Sequence, residues 1–213
     1  MTTRALTPAE IAALDKALSD RKRHRDRLLL LLLVATGYRI TEILTLRVSQ
    51  LVGVDGEVAK EITIARKWLK CGRGSRAKSI RSRRVALSGM ARAAIADFIR
   101  SFDEPPAGAA FVFKSRKGLN RSINRCQAYV IIKSIAEVVG LDASRLGCHS
   151  TRKAYARGLY DASGHDIIKT QRVMGHASPL TTARYIDTSE AELDDLVRGF
   201  DPLSSGSRSL AIS

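Results

Sequence analysis

From Leu28 to Ala35 the chain is continuously apolar for eight residues, between Arg27 and Thr36-Gly37. A helix at a protein surface carries one apolar stripe. A helix that is apolar all round must be covered all round. A membrane span needs about 20 such residues, so the run is too short to cross a bilayer. The chain therefore folds around this segment, predicted as a helix over Arg25 to Ala35 that stops at Gly37. The remaining elements must supply its cover. With 213 residues, 45% of them hydrophobic and 27% charged, the chain has the material of a soluble globular protein. A domain of this size buries roughly 70% of its unfolded surface.

The predicted cover is mainly helical. Thr7-Pro8-Ala9-Glu10 is a helix start, with a capping box and proline at the first helical position. Ile11, Leu14 and Leu18 follow at helical spacing. Further helices are expected over Tyr38 to Arg47, Met90 to Phe102, Ser122 to Val139, Thr151 to Ala162, Asp166 to Met174, Thr181 to Tyr185 and Glu190 to Arg198. The one strand-like region pairs Glu61 to Arg66 with Arg84 to Leu87, across a Gly-rich bend at Cys71 to Ser75. The expected fold is mainly α with a small antiparallel β-sheet, an α+β arrangement. Residues 1–200 form one domain and 201–213 a flexible tail rich in serine. Pro105-Pro106 reads as a surface loop, not a linker. The first ten residues lack the apolar core of a signal peptide.

Charge narrows the function. Lys and Arg number 36 against 21 Asp and Glu, a net charge of +15. Such an excess argues against a neutral small-molecule enzyme and for a polyanionic partner, most commonly nucleic acid. From Arg66 to Arg84 there are many cations and no acid. Cys71, Cys126 and Cys148 form no CxxC pair and favour a reducing cytosol. A zinc site from Cys148, His149, His165 and His176 has no recognised ligand spacing, so neither a metal nor another cofactor is expected.

Three segments concentrate chemistry: residues 35–44 around Arg39, 148–156 around His149 and Arg152, and 174–185 with His176 and Tyr185. Arg39 and Arg152 are permanent cations whose planar forks suit phosphate oxygens. His149 and Arg152, three apart, share a helix face. His176 can donate a hydrogen bond or pass a proton. Tyr185 has a hydroxyl able to attack phosphorus. Each alone has an ordinary explanation: a solvated Arg, a satisfied His, a packed Tyr. Together they are the parts for transesterification at a phosphodiester, with the arginines stabilising the charge that develops on phosphorus.

The three segments resemble the tyrosine recombinases, or phage integrases. Thr36-Gly37-Tyr38-Arg39-Ile40-Thr41-Glu42 matches a TG-x-R-x-x-E box. His149-Ser150-Thr151-Arg152 matches H-x-x-R. Gly175, His176, Ser178, Thr181, Thr182 and Tyr185 match a G-H-x-S-x-x-T-T-x-x-Y box. The resemblance runs from Leu6 to about Arg198.

It implies that Tyr185 attacks a scissile phosphate to form a 3′-phosphotyrosyl link, while Arg39 and Arg152 clamp the non-bridging oxygens. His149 would assist proton transfer, His176 would hydrogen-bond the phosphate and Glu42 would orient Arg39. Neither metal nor ATP would be needed. A hairpin lysine would serve as general acid. Lys78, nine residues before Leu87, and Lys70, beside a Gly-containing bend, are equal candidates. Lys67, Arg73, Arg76, Arg81, Arg83 and Arg84 would grip DNA phosphates as a basic arm.

The implied partners are a duplex DNA recombination site, further copies of the chain in a synaptic tetramer, and accessory DNA-bending proteins. No membrane is involved. The expected location is a bacterial cytoplasm, on DNA, with the chain encoded by a bacterium, phage or mobile element. The family's usual N-terminal DNA-clamping domain has no counterpart in the sequence, and the Met1-Thr2-Thr3 start favours a short complete protein over an excised piece. Competing readings are a DNA-binding module that ignores Tyr185 and a type IB topoisomerase-like nicking and closing enzyme.

Overall fold

The computed structural model describes residues 3–69, 82–186 and 190–199. Its elements run α1 (Pro8–Asp20), α2 (His24–Thr36), α3 (Ile40–Ile43), β1 (Glu61–Ile64), β2 (Arg83–Ala86), α4 (Gly89–Arg100), α5 (Arg125–Val138), α6 (Cys148–Ala162), α7 (Ile167–Met174), α8 (Pro179–Ala183) and α9 (Glu190–Gly199).

The leucine run is the axis of the molecule. Leu28 to Leu33 are each at most 1% exposed. Fully burying one leucine side chain contributes about 1.5–3 kcal/mol relative to leaving it in water. The cover comes from α1, α3, α4 and α6, all packed against α2. Leu30 faces a cluster built by Leu14 and Leu18 of α1 with Ile135 and Ala136 of α5. The other five leucines face the larger cluster, which takes in Ala91, Ala94, Ile95 and Phe98 of α4 and both strands. Those four α4 residues lie at i, i+3, i+4 and i+7, the stripe of a helix with one buried face. At the rim, Arg27 bonds Asp15 of α1 at 2.6 Å and Asp97 of α4 at 2.7 Å, tying the two covering helices together.

Local sequence sets the element ends. Thr7 accepts from the Glu10 N–H at 3.2 Å, and Glu10 accepts from the Thr7 N–H at 2.8 Å, completing the capping box of α1. Asn124 and Gln127 do the same for α5 at 2.8 and 2.9 Å, which starts that helix at Arg125 and not at Ser122. Gly37 and Gly175 end α2 and α7 in the left-handed region, at φ +56° and +63°.

The strands pair antiparallel, with Glu61 opposite Ala86 and Ile64 opposite Arg83. The expected helix over Tyr38 to Arg47 shrinks to one turn at α3. Beyond it the chain extends, because Leu46 and Val48 both enter the core while Arg47 bridges to Phe111 and lays its guanidinium 3.4 Å from that ring's centroid. In the third segment, α8 begins at Pro179, with Ser178 as N-cap, and ends before Tyr185. Among the described residues no helix is long and apolar enough to cross a membrane. Lys70, Arg73, Arg76, Lys78 and Arg81 of the basic bend, and the tail 201–213, lie outside the described residues.

Candidate active site

Each key side chain sits where a helix starts or stops. Arg39 is the N-cap of α3. Its backbone N–H donates to Glu42 Oε2 at 2.8 Å and its Nη1 to Glu42 Oε1 at 3.0 Å. Glu42 is 1% exposed, so both oxygens of a buried carboxylate hold Arg39 by main chain and side chain at once. The Arg39 side chain itself remains one-third exposed.

Arg152, on α6, is also only 1% exposed. The helix begins at Cys148, three residues earlier than the sequence suggested, so His149 and Arg152 lie on its first two turns. The Arg152 guanidinium donates to the Gly37 carbonyl, to the Met174 carbonyl at 3.4 Å and to His176 Nε2 at 2.7 Å. It thus joins the end of α2 to the end of α7. Burial first, then the neighbouring Arg39 and Arg83, lower its pKa to about 10, which leaves it charged at neutral pH.

That contact fixes the protonation of His176. An arginine can only donate, so His176 Nε2 accepts. Its Nδ1 then carries the hydrogen and donates to Thr182 Oγ1 at 2.9 Å. Burial, followed by Arg152, Arg39 and Arg83, pushes the His176 pKa down to about 4. His176 is 6% exposed and Thr182 fully buried. The ring is therefore locked in one neutral tautomer.

Tyr185 follows α8 directly. Its ring centroid lies 5.2 Å from that of His176 and 6.5 Å from that of His149, and Arg152 Cζ is 5.4 Å from it. His149 is exposed on the first turn of α6. Partial burial, then Arg152, Arg125 and Arg39, lower its pKa as well. His149 is therefore neutral near pH 7 and free to accept a proton.

Arg39, His149, Arg152, His176 and Tyr185 thus converge from three distant segments. Two cavities flank them. One, of about 900 Å³, is lined by Arg39, Glu42, Arg83, Tyr155, His176 and Thr181. The other, of about 480 Å³, is lined by Arg39, Tyr129, Cys148, His149 and Arg152.

The basic-arm residues divide. Arg84 is exposed and pairs with Glu61 across the hairpin. Lys67 is exposed, 5.3 Å from the Trp68 ring centroid. Arg83 departs from the expectation of an outward phosphate grip. Its side chain turns inward over the Tyr38 ring, 4.5 Å from its centroid, and is partly buried.

Three contributors escaped the sequence reading. Tyr38 is fully buried and its hydroxyl reaches the Arg83 carbonyl at 2.7 Å, fastening the Arg39 loop to β2. Tyr155 packs across Gly37 so closely that a Cβ there would lie 2.0 Å from its ring. Thr182 was noticed only as a motif position. The signals were present: Tyr38 adjoins Arg39, and Tyr155 lies one helical turn after Arg152. Among the described residues no group of three His, Cys, Asp or Glu side chains could hold a metal ion.

The chain matches the phage integrase family over residues 4–192. It is 27% identical over 169 residues to the probable integrase/recombinase YoeC of Bacillus subtilis, across 79% of this chain and 81% of that one. It is 28% identical over 202 residues to the tyrosine recombinase XerD of Rhizobium meliloti, across 95% of this chain and 60% of that one. Among solved structures, the XerA recombinase superposes with a TM-score of 0.70 at 19% identity, across 94% of this chain and 65% of that one. The XerH site-specific recombinase bound to its difH substrate after cleavage gives 0.66 at 22% identity, across 92% of this chain and 52% of that one. These structural likenesses establish a shared fold, and the chain spans about half to two thirds of the Xer proteins it resembles. A match across nearly all of the described residues places the chain in the phage integrase family.

Proposed function

We propose that the chain is a site-specific DNA recombinase that cuts and rejoins duplex DNA through a covalent 3′-phosphotyrosine intermediate. The observation that carries this is the convergence of Tyr185 with His149, His176 and Arg152, with Nη2 of Arg152 held 2.7 Å from His176 Nε2. Tyr185 Oη attacks the scissile phosphorus, and its proton passes to the neutral His149. The bond from phosphorus to the 5′-oxygen breaks, and the leaving oxygen takes a proton from Lys70 or Lys78. A positioned proton donor of this kind is worth roughly 10²–10⁴ in rate. Arg39 and Arg152 stabilise the negative charge on the non-bridging oxygens.

The 5′-hydroxyl of a partner strand then attacks the phosphotyrosine and releases Tyr185. One phosphoester replaces another at each step, so neither ATP nor a metal is required. The proposed catalytic domain is 1–200, acting in the cytoplasm on DNA. Duplex DNA is the substrate, gripped by Lys67, Arg84 and the basic residues of the 70–81 bend. A tetramer on two sites is the working assembly, with DNA-bending proteins as accessory partners. Leu193, Leu196 and Val197 of α9 are 49–72% exposed and supply an apolar face for a neighbouring copy.

The test is covalent trapping on a nicked suicide duplex taken from the chain's own genomic flanks, without metal or ATP. A protein–DNA adduct on a denaturing gel, lost in Tyr185→Phe, is the expected result. Binding with no adduct would leave a DNA-binding module. An adduct with no preference for a specific site would indicate a nicking and closing enzyme.

A further inference from the structure

Two helix ends meet at the site, and two arginines hold them. Arg152 donates to the carbonyls of Gly37 and Met174. Arg83 donates through Nη2 to the carbonyls of Thr36, at 3.0 Å, and Val173, at 3.3 Å. Each carbonyl held by Arg83 is thus the one before a carbonyl held by Arg152. These are terminal carbonyls of α2 and α7, groups that a helix cannot satisfy by itself. Directly beyond them lie Gly37-Tyr38-Arg39 and Gly175-His176. The two arginines form a double staple under the loops that carry both residues.

The fit around Arg83 is close. Its guanidinium stacks over Tyr38. A Cβ on Gly175 would lie 3.3 Å from Arg83 Cδ, so the bare glycine gives the arginine its path. Its Nε and Nη1 are buried without a hydrogen-bond partner among the described residues. A buried cation with two unmet donors carries a desolvation cost. The two carbonyl bonds and the stack over Tyr38 offset that cost.

We propose that Arg83 is a positioning residue of the strand-cleavage site: it staples the ends of α2 and α7 together and so sets the relative placement of Arg39 and His176. This deepens the recombinase reading and rests on it. Arg83 also adds positive charge beside His176. The charged or titratable groups facing that ring are Arg152 from α6, Arg39 from the start of α3, Arg83 from β2 and Tyr185 from the end of α8. All three arginines oppose its protonation.

The experiment compares wild type, Arg83→Met, Arg83→Lys and Tyr185→Phe in three assays. These are adduct formation on the nicked duplex with enzyme in excess, DNA affinity against salt, and titration of the imidazoles by NMR. The chain has four histidines, so the His176 signal is assignable with Tyr185→Phe and His176→Gln as references. The NMR readout needs no activity. A displacement of about 1 Å at such a site costs on the order of 10² in rate. Arg83→Met is expected to lose adduct rate on that scale, keep its DNA affinity and salt slope, and raise the His176 pKa. Arg83→Lys keeps the charge without the planar fork. It is expected to hold the His176 pKa near its wild-type value while recovering only part of the rate.

Wild-type cleavage by Arg83→Met, or an unmoved His176 pKa in that variant, would overturn the proposal. So would a salt slope smaller by about one, the mark of a lost phosphate contact. If Arg83→Met does not fold, Arg83→Lys decides: full wild-type rate overturns the proposal, and a reduced rate with unchanged His176 pKa supports it. If wild type itself forms no adduct, the recombinase reading fails, while the His176 titration still reports on the staple.

Discussion

Gly37→Ala is the sharpest single test of how the site is held. Gly37 sits at φ +56°, where an L side chain costs about 1–2 kcal/mol. The new Cβ would also lie 2.0 Å from Tyr155 Cδ1 and 2.9 Å from Cγ, so the ring as a whole must move and not merely its tip. Forced overpacking of this kind costs about 1–3 kcal/mol. The sum is about 2–5 kcal/mol, against a total stability of about 5–15 kcal/mol for a domain. Gly37 also carries a carbonyl that binds Arg152, so a shifted backbone disturbs the guanidinium beneath His176.

Urea unfolding followed by circular dichroism measures the loss. A double-mutant cycle with Tyr155→Ala separates its two parts. Removing the ring should relieve the steric part and leave the φ strain, so the double variant should be more stable than the sum of the single losses by about 1–3 kcal/mol. Strict additivity would refute the clash. A loss below about 1 kcal/mol in Gly37→Ala alone would refute the strain as well.

Three further outcomes are expected. His176 stays neutral in the folded chain down to about pH 4, whereas an unfolded histidine protonates near 6.5. The unfolded state therefore binds the extra proton, and stability should fall as pH drops from about 6.5 to 4, by about 3 kcal/mol in all; denaturation midpoints across that range should lose this slope in His176→Gln. Arg152→Lys removes the fork that reaches two carbonyls and His176 at once, so adduct formation should fall by at least about 10² with DNA affinity retained. Thr182→Val leaves Nδ1–H of a buried ring without its acceptor and should cost about 1–3 kcal/mol in urea unfolding, with an upfield change at that N–H visible by NMR.

The sequence carried the axis of the fold because an eight-residue run of apolar side chains admits only one environment. It carried helix starts wherever capping residues coincide with amphipathic spacing, as at Thr7 and Glu10. It did not carry the end of α3. There Leu46 and Val48 go into the core at a spacing of two, and tertiary pairing with Phe111 overrides helix propensity. That Arg39, His149, Arg152, His176 and Tyr185 would come together was legible because three boxes occur in order, the third of them long. Arg83 was not, because a run of cations reads as a solvated arm. Nothing local reveals that one of them bends back under Gly175. Tyr38 and Tyr155 were hidden for a related reason: a tyrosine that fastens a loop has the same spacing signature as one that fills a core.

The axial position of α2 also governs how the molecule comes apart. Its leucines belong to two clusters at once, with Leu30 facing one and its neighbours the other. Helix α2 cannot leave without opening both. The amides of its leucine run are therefore expected to be among the slowest in the domain to exchange with solvent. The loop bearing Arg39 is continuous with this helix, so the arginine is anchored to a deeply buried part of the chain.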